Sequence, residues 1–167
     1  MRLHSGLTIN GREYSSGDEI PGRYVYPFFL VHMLAFGLSG FLLAYSGAPV
    51  AILYMHGGIA ILVYLVFYLA IFGRDEVAWM FINAGLGIGG ILSQLDWILS
   101  LFGKRVGDFP PTVHVIPILY FVLYTFLIRH ALLDLFHADD DATRRRVQYG
   151  YVGGSLLLYL ALHFLGV

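Results

Sequence analysis

The chain has 167 residues, of which 58% are hydrophobic and 13% are charged, and its formal net charge is −1. Soluble domains are roughly 45–50% apolar and about 25% charged, and a small domain has too much surface to hide this apolar excess. These figures exclude disordered, collagenous and nucleic-acid-binding chains, and the lack of cysteine excludes disulfides, thiolate metal sites and iron–sulfur clusters. The composition therefore predicts an all-α integral membrane protein.

The polar segment 1–25 predicts a short β-hairpin. Two β-prone runs, Leu7–Ile9 and Arg12–Tyr14, flank Asn10-Gly11, a strong signal of a two-residue type I′ turn. The segment has no apolar stretch typical of a cleavable signal peptide. An isolated hairpin is marginally stable in water, so we expect it to lie against the membrane surface or a partner chain.

Five apolar segments follow and predict a compact transmembrane bundle of five helices over residues 26–167. Each has roughly 20–26 residues, enough to cross a hydrocarbon core of about 30 Å. Pro27 is a start signal for the first helix and Asp75-Glu76 for the third. Short connections between segments favour antiparallel neighbours. The predicted spans run about Tyr26 to Tyr45, Pro49 to Phe72, Val77 to Phe102, Pro111 to Phe136, and Val147 to Gly166.

Basic residues are distributed unequally between the two sides of these spans. The positive-inside rule therefore predicts a cytoplasmic amino terminus and an outer carboxyl terminus, and we expect a bacterial inner membrane as the location. The amino-terminal side carries Arg2, Arg12, Arg23, Arg74, Arg144, Arg145 and Arg146, and the other side carries Lys104 and Arg105.

Polar side chains within the predicted spans form two groups by depth. A carboxylate in hydrocarbon costs about 2.5–3.5 kcal/mol, so Asp96 is expected to face the interior, paired with an outer-half partner, first of all His56. Such a pair is either structural or a site of proton transfer. The outer-half group is His56, Gln94, Asp96, His114 and His163, and the inner group is His32, Arg129 and His130.

The third predicted span carries small residues on two opposite faces. Gly85, Gly89 and Ser93 recur at four-residue steps and form one face. Small residues permit close helix packing, so this span is expected to be central, with helices on both sides. Gly150 and Gly154 give the fifth span a similar surface. The opposite face of the third span comprises Asn83, Gly87, Gly90 and Gln94.

The histidines raise the hypothesis of a bound haem b. Gly57 and Gly58 beside His56 leave room for a porphyrin, with His114 or His163 as the second ligand. The sequence does not require a cofactor, because helix packing explains the glycines and hydrogen bonding explains the histidines.

Three functions remain open. The first is a non-catalytic subunit or scaffold component of a larger membrane complex, which the short loops and the two-faced third span favour. The second is haem- or quinone-binding electron transfer that uses His56 and an outer-half partner. The third is a proton-coupled transporter or channel that uses Asp96. The sequence contains no phosphate loop, nucleophile elbow or zinc motif that would indicate an enzyme.

The expected partners are membrane lipids and either other membrane subunits or a second copy of the chain. An anionic-lipid site is a further hypothesis for the basic cluster that precedes the fifth span. This cluster is Arg144, Arg145 and Arg146.

Overall fold

The computed structural model describes residues 3–9, 11–138 and 140–164. It is mainly helical, with a two-stranded antiparallel hairpin before the first helix. The strands are β1 (Leu7–Ile9) and β2 (Arg12–Tyr14). The helices are α1 (Gly22–Tyr45), α2 (Val50–Leu53), a π turn (Tyr54–Gly58), α3 (Ile59–Phe72), α4 (Arg74–Leu86), α5 (Ile88–Ser100), a 3₁₀ turn (Val106–Asp108), α6 (Pro111–Leu135) and α7 (Asp141–Phe164).

The predicted hairpin is confirmed, with Leu7 opposite Tyr14 and Ile9 opposite Arg12. Gly11 has a φ of 75°, as a type I′ turn requires at that position. Asn10, the other turn residue, lies outside the described residues.

The segment before the hairpin is anchored to the end of α3. The backbone N–H groups of His4 and Ser5 both donate to the carbonyl of Ala70, at 2.9 and 3.2 Å. A Cβ at Gly73 would lie 2.8 Å from His4 Nδ1, so this corner admits only glycine, whose φ is 85°. The amino-terminal segment and the α3–α4 corner therefore lie side by side at the end of α3, next to Arg74.

Among the described residues, three helices are long and apolar enough to cross a membrane, and they lie where the sequence predicted the first, second and fourth spans. Ring contacts of Phe36 with His56 and of Phe29 with Phe67 show that α1 and α3 are antiparallel. Helix α1 starts at Gly22, so Pro27 lies inside it and not at its start as predicted. Those candidate spans are Val25–Tyr45, Val50–Phe72 and Pro111–Leu135.

The third predicted span is not one straight helix. Helices α4 and α5 meet at Gly87 with a bend of 68°, and they make a fourth candidate span only if the two halves are taken together. Glycine is a poor helix former, and four glycines within residues 85–90 explain why the helix breaks here. The predicted helix-start signal of the third span is confirmed, because Asp75 and Glu76 lie in the first turn of α4.

Helix α6 is the most buried of the three candidate spans. Half of its apolar window is buried (50%), against 28% for the first candidate span and 22% for the second. Three glycines allow close approach to α6: Gly37 to Tyr120, Gly40 to Ile116, and Gly57 to both. A Cβ at Gly57 would overlap Ile116 Cγ2, which explains the glycine there.

The chain forms two compact units, one up to Tyr124 and one from Thr125 onward, so α6 belongs to both. In the second unit, α7 starts at Asp141, earlier than the predicted Val147. The length and hydropathy of the described residues thus give three candidate spans, or four with the bent pair. The fifth predicted span is not among them.

The early start of α7 has a local cause, the carboxylate of Asp140. It accepts hydrogen bonds from the Thr143 hydroxyl at 2.6 Å and from the Thr143 N–H at 2.9 Å, as an N-cap residue does. These hydrogen bonds lower the pKa of Asp140 below its ordinary value.

Candidate functional site

The described members of the predicted outer-half group are divided between three places in the first unit. At the end of α1, the buried side chain of His114 (5% exposed) lies between two partners. Its Nδ1 is 2.8 Å from the Tyr45 hydroxyl and its Nε2 is 3.1 Å from the carbonyl of Val106. We call this set, together with Asp96, the outer latch.

The partners of His114 determine where its proton lies. A carbonyl only accepts hydrogen bonds, so Nε2–H donates to Val106. Nδ1 then accepts from the Tyr45 hydroxyl in the neutral ring. Because both ring nitrogens are engaged, His114 is not placed to serve as an axial ligand of a haem shared with His56.

Asp96 joins the outer latch through the backbone. Its Oδ1 accepts the N–H of Val106 at 2.8 Å, because the connection after α5 folds back over the helix end. The predicted pairing of Asp96 with His56 is therefore wrong: in the described chain, each side chain has a different partner. Lys104 closes the same end by donating to the carbonyl of Tyr45 at 2.5 Å, as basic residues do at helix C-termini.

His56 lies in the π turn, away from the outer latch. Its Nε2 is 2.8 Å from Ser39 Oγ, and its ring stacks on Phe36 with centroids 5.4 Å apart. The Ser39 hydroxyl donates its single proton to the carbonyl of Phe36 at 3.0 Å. Ser39 Oγ therefore accepts from His56 Nε2–H, which leaves Nδ1 of the neutral ring with its lone pair.

His32, from the predicted inner group, lies on the same groove as His56. Its Nδ1 donates to the carbonyl of Phe28 at 2.8 Å, and its ring lies 4.1 Å from the Phe28 ring. The groove encloses about 550 Å³ between α1 and the π turn with α3. We call it the aromatic groove; its walls include Phe28, Phe29, Phe36, Met55, Tyr64 and Phe67.

The aromatic groove does not contain the predicted haem ligand pair of His56 and His114. Its two histidines are His56 and His32, which are offset by four to seven residues along α1, roughly 6–10 Å. His114 lies in the outer latch, bonded to Tyr45. The space expected beside Gly57 for a porphyrin is filled by Ile116.

Gln94 belongs to a third place, a crevice of about 350 Å³ between α1, α5 and α6. The other lining residues are almost all apolar, including Leu34, Phe41 and Ile98. Its volume is within the usual range of ligand pockets. Among its lining residues, however, only Gln94 and two tyrosines have side chains that can form hydrogen bonds to a ligand.

The small-residue faces of the broken third span are open. A Cβ at Gly85, Gly89 or Gly90 would meet no atom within 4 Å, and Ser93 is exposed. The expectation that these faces pack against helices on both sides is thus not met within the described chain. Gly150 and Gly154 of α7 are equally open among the described residues.

The remaining predicted residues lie in the second unit. His130 repeats the arrangement of His32, with Nδ1 3.0 Å from the carbonyl of Phe126 and its ring tilted against the Phe126 ring, 4.2 Å between centroids. Arg129 is half-buried. Arg144 is exposed and donates from Nε to the carbonyl of Ala138 at 2.9 Å. Arg145 and Arg146 are exposed, and the side chain of His163 lies outside the described part of the chain.

Sequence reasoning missed three residues with defined roles: Ser39, Tyr45 and Lys104. Tyr45 and His114 are 69 positions apart, and nothing in a single sequence pairs them. The small residues Gly37, Ser39 and Gly40 on α1 were a signal that a neighbouring helix comes close.

The described residues contain no cluster of three or more His, Asp or Glu side chains able to hold a metal ion. Comparison with protein-family models, with curated proteins and with solved structures gives no match to this chain. Functional proposals therefore rest on the geometry of the outer latch, the aromatic groove and the open glycine faces.

Proposed function

We propose that the chain is a multi-pass protein of a bacterial inner membrane, with five spans, a cytoplasmic amino terminus and an outer carboxyl terminus. Large apolar side chains on the candidate spans are exposed, such as Val31 and Leu62 at 65% each. Contiguous apolar surface of this kind is rare on soluble monomers. In the sequence, basic residues are more numerous on the amino-terminal side of the predicted spans than on the side carrying Lys104, which supports the orientation.

Within that membrane, we propose that the protein is a non-catalytic subunit or scaffold component of a larger complex. The observation that carries this proposal is the pair of open glycines on either side of the helix break, Gly85 on α4 and Gly89 on α5. Each glycine costs about 1 kcal/mol relative to alanine in a helix, and here no contact within the described chain offsets that cost. In membranes, such faces serve close packing between helices, so the partner is a helix of another subunit or of a second copy.

The transport alternative has less support. A carboxylate that carries protons needs a partner that exchanges them, whereas Asp96 accepts a hydrogen bond from the backbone N–H of Val106, which does not titrate.

The test compares the native size of three forms extracted from membranes in mild detergent. Gly89→Leu fills the open face and should convert the assembled protein to a smaller species. Ala35→Leu adds the same bulk at an exposed position on α1 and should leave the assembly intact. If wild type already migrates as a monomer, or if both variants assemble normally, the subunit proposal is wrong.

A further inference from the structure

The two histidines of the aromatic groove have assigned tautomers. The Phe28 carbonyl accepts a hydrogen bond from His32 Nδ1–H, and Ser39 Oγ accepts one from His56 Nε2–H. The second nitrogen of each neutral ring therefore keeps its lone pair. The groove therefore presents two hydrogen-bond acceptors, His32 Nε2 and His56 Nδ1, and neither has a protein partner among the described residues.

The offset of the two histidines along α1 restricts the ligand. His56 lies level with Phe36 and Ser39, four to seven residues beyond His32, which is an axial offset of roughly 6–10 Å between the two residues. A ring with hydroxyls at opposite ends, extended by a hydrogen bond of about 2.8 Å at each end, is long enough to reach from one imidazole to the other. Phe29 and Phe67, whose rings meet edge to face with centroids 5.2 Å apart, give the groove an aromatic lining against which such a ring can pack.

We propose that the aromatic groove binds a hydroquinone, whose two hydroxyls donate to His32 Nε2 and His56 Nδ1. The π turn supports this, because single π turns inside helices frequently occur at functional sites, and here one carries His56. The oxidised quinone has carbonyl oxygens and no donor, so it cannot satisfy either nitrogen. The inference rests on the membrane location proposed above, but not on the existence of a partner subunit.

The test uses the full chain, purified in detergent, with decyl-ubiquinol as the probe and decyl-ubiquinone as its matched control. Two donated hydrogen bonds should make the quinol bind about tenfold more tightly than the quinone. His32→Phe keeps an aromatic ring but removes one acceptor, and should weaken quinol binding several-fold while leaving quinone binding unchanged. His137→Asn, at an exposed position outside the groove, should change neither.

A second measurement uses the wild-type protein and therefore needs no variant. With ¹⁵N-labelled histidine, the resonances of His32 Nε2 and His56 Nδ1 should shift on addition of quinol and stay in place with quinone. Equal affinities for both ligands, or unchanged histidine resonances, would overturn the proposal. It would also be overturned if added haem gave the absorption spectrum of a complex with two histidine ligands. Failure of these binding tests leaves the subunit assay unaffected, because that assay reads native size and not ligand binding.

Discussion

Replacing Gly57 by alanine is expected to destabilise the protein, although alanine is the better helix former. The new methyl would overlap Ile116 Cγ2 and lie 3.6 Å from Tyr120 Cε2. Overpacking a filled site costs about 1–3 kcal/mol, against a gain of about 1 kcal/mol in helix propensity. The net effect is a loss of about 0–2 kcal/mol. Gly58→Ala is the matched control, because its methyl meets only Ile116 Cδ1 at 3.9 Å.

The assay is reversible unfolding in mild detergent, followed by circular dichroism. Gly58→Ala should raise the free energy of unfolding by up to about 1 kcal/mol, so that it exceeds Gly57→Ala by about 1–3 kcal/mol. Ile116→Leu removes Cγ2, so the double variant with Gly57→Ala should recover much of the loss. Equal stabilities of the two alanine variants, or no recovery in the double variant, would refute the close approach of the π turn to α6.

Three further outcomes are expected. Tyr45→Phe should cost about 1–3 kcal/mol in the same unfolding assay, because it leaves a nitrogen of the buried latch histidine unsatisfied; an unchanged stability would contradict the outer latch. The carboxylate of Asp140, whose folded pKa is lowered by Thr143, should stabilise the start of α7 fully above about pH 4 and lose that effect as the pH falls through the lowered pKa. Asp140→Asn should abolish this pH dependence of amide exchange in the first turn of α7, and its persistence would argue against the cap. A single cysteine at exposed Ser15 should be labelled only from the cytoplasmic side, and one at exposed Gly107 only from the outer side. The opposite labelling pattern would show that the proposed orientation is inverted.

Local patterns in the sequence predicted local structure well. Asn10-Gly11 between two β-prone runs was enough to place the hairpin, since loop length and turn type determine its register. Apolar run length placed three candidate spans within a few residues, because the thickness of a bilayer sets the length of a span. Glycines were harder to interpret: Gly87 breaks a helix, Gly57 admits a neighbour, and Gly89 remains open.

The partners of the polar side chains were not predictable, for a physical reason. Depth along a helix follows from its rise per residue, so His56 and Asp96 were placed at one level, but rotation and loop folding decide which groups meet. The loop carrying Val106 folds back and satisfies Asp96 with a backbone N–H that any residue except proline would supply. A backbone partner of this kind cannot be predicted from the pattern of side chains in the sequence.

The central claim is that a partner helix covers the open face beside Gly85 and Gly89 in the membrane. A photo-crosslinking benzoylphenylalanine at Leu86, whose side chain is 83% exposed at the break between α4 and α5, tests it in intact membranes. The matched control places the same group at Leu62, 65% exposed on α3. The account predicts a protein adduct from position 86 and only lipid adducts from position 62. Lipid adducts alone from both positions would contradict it.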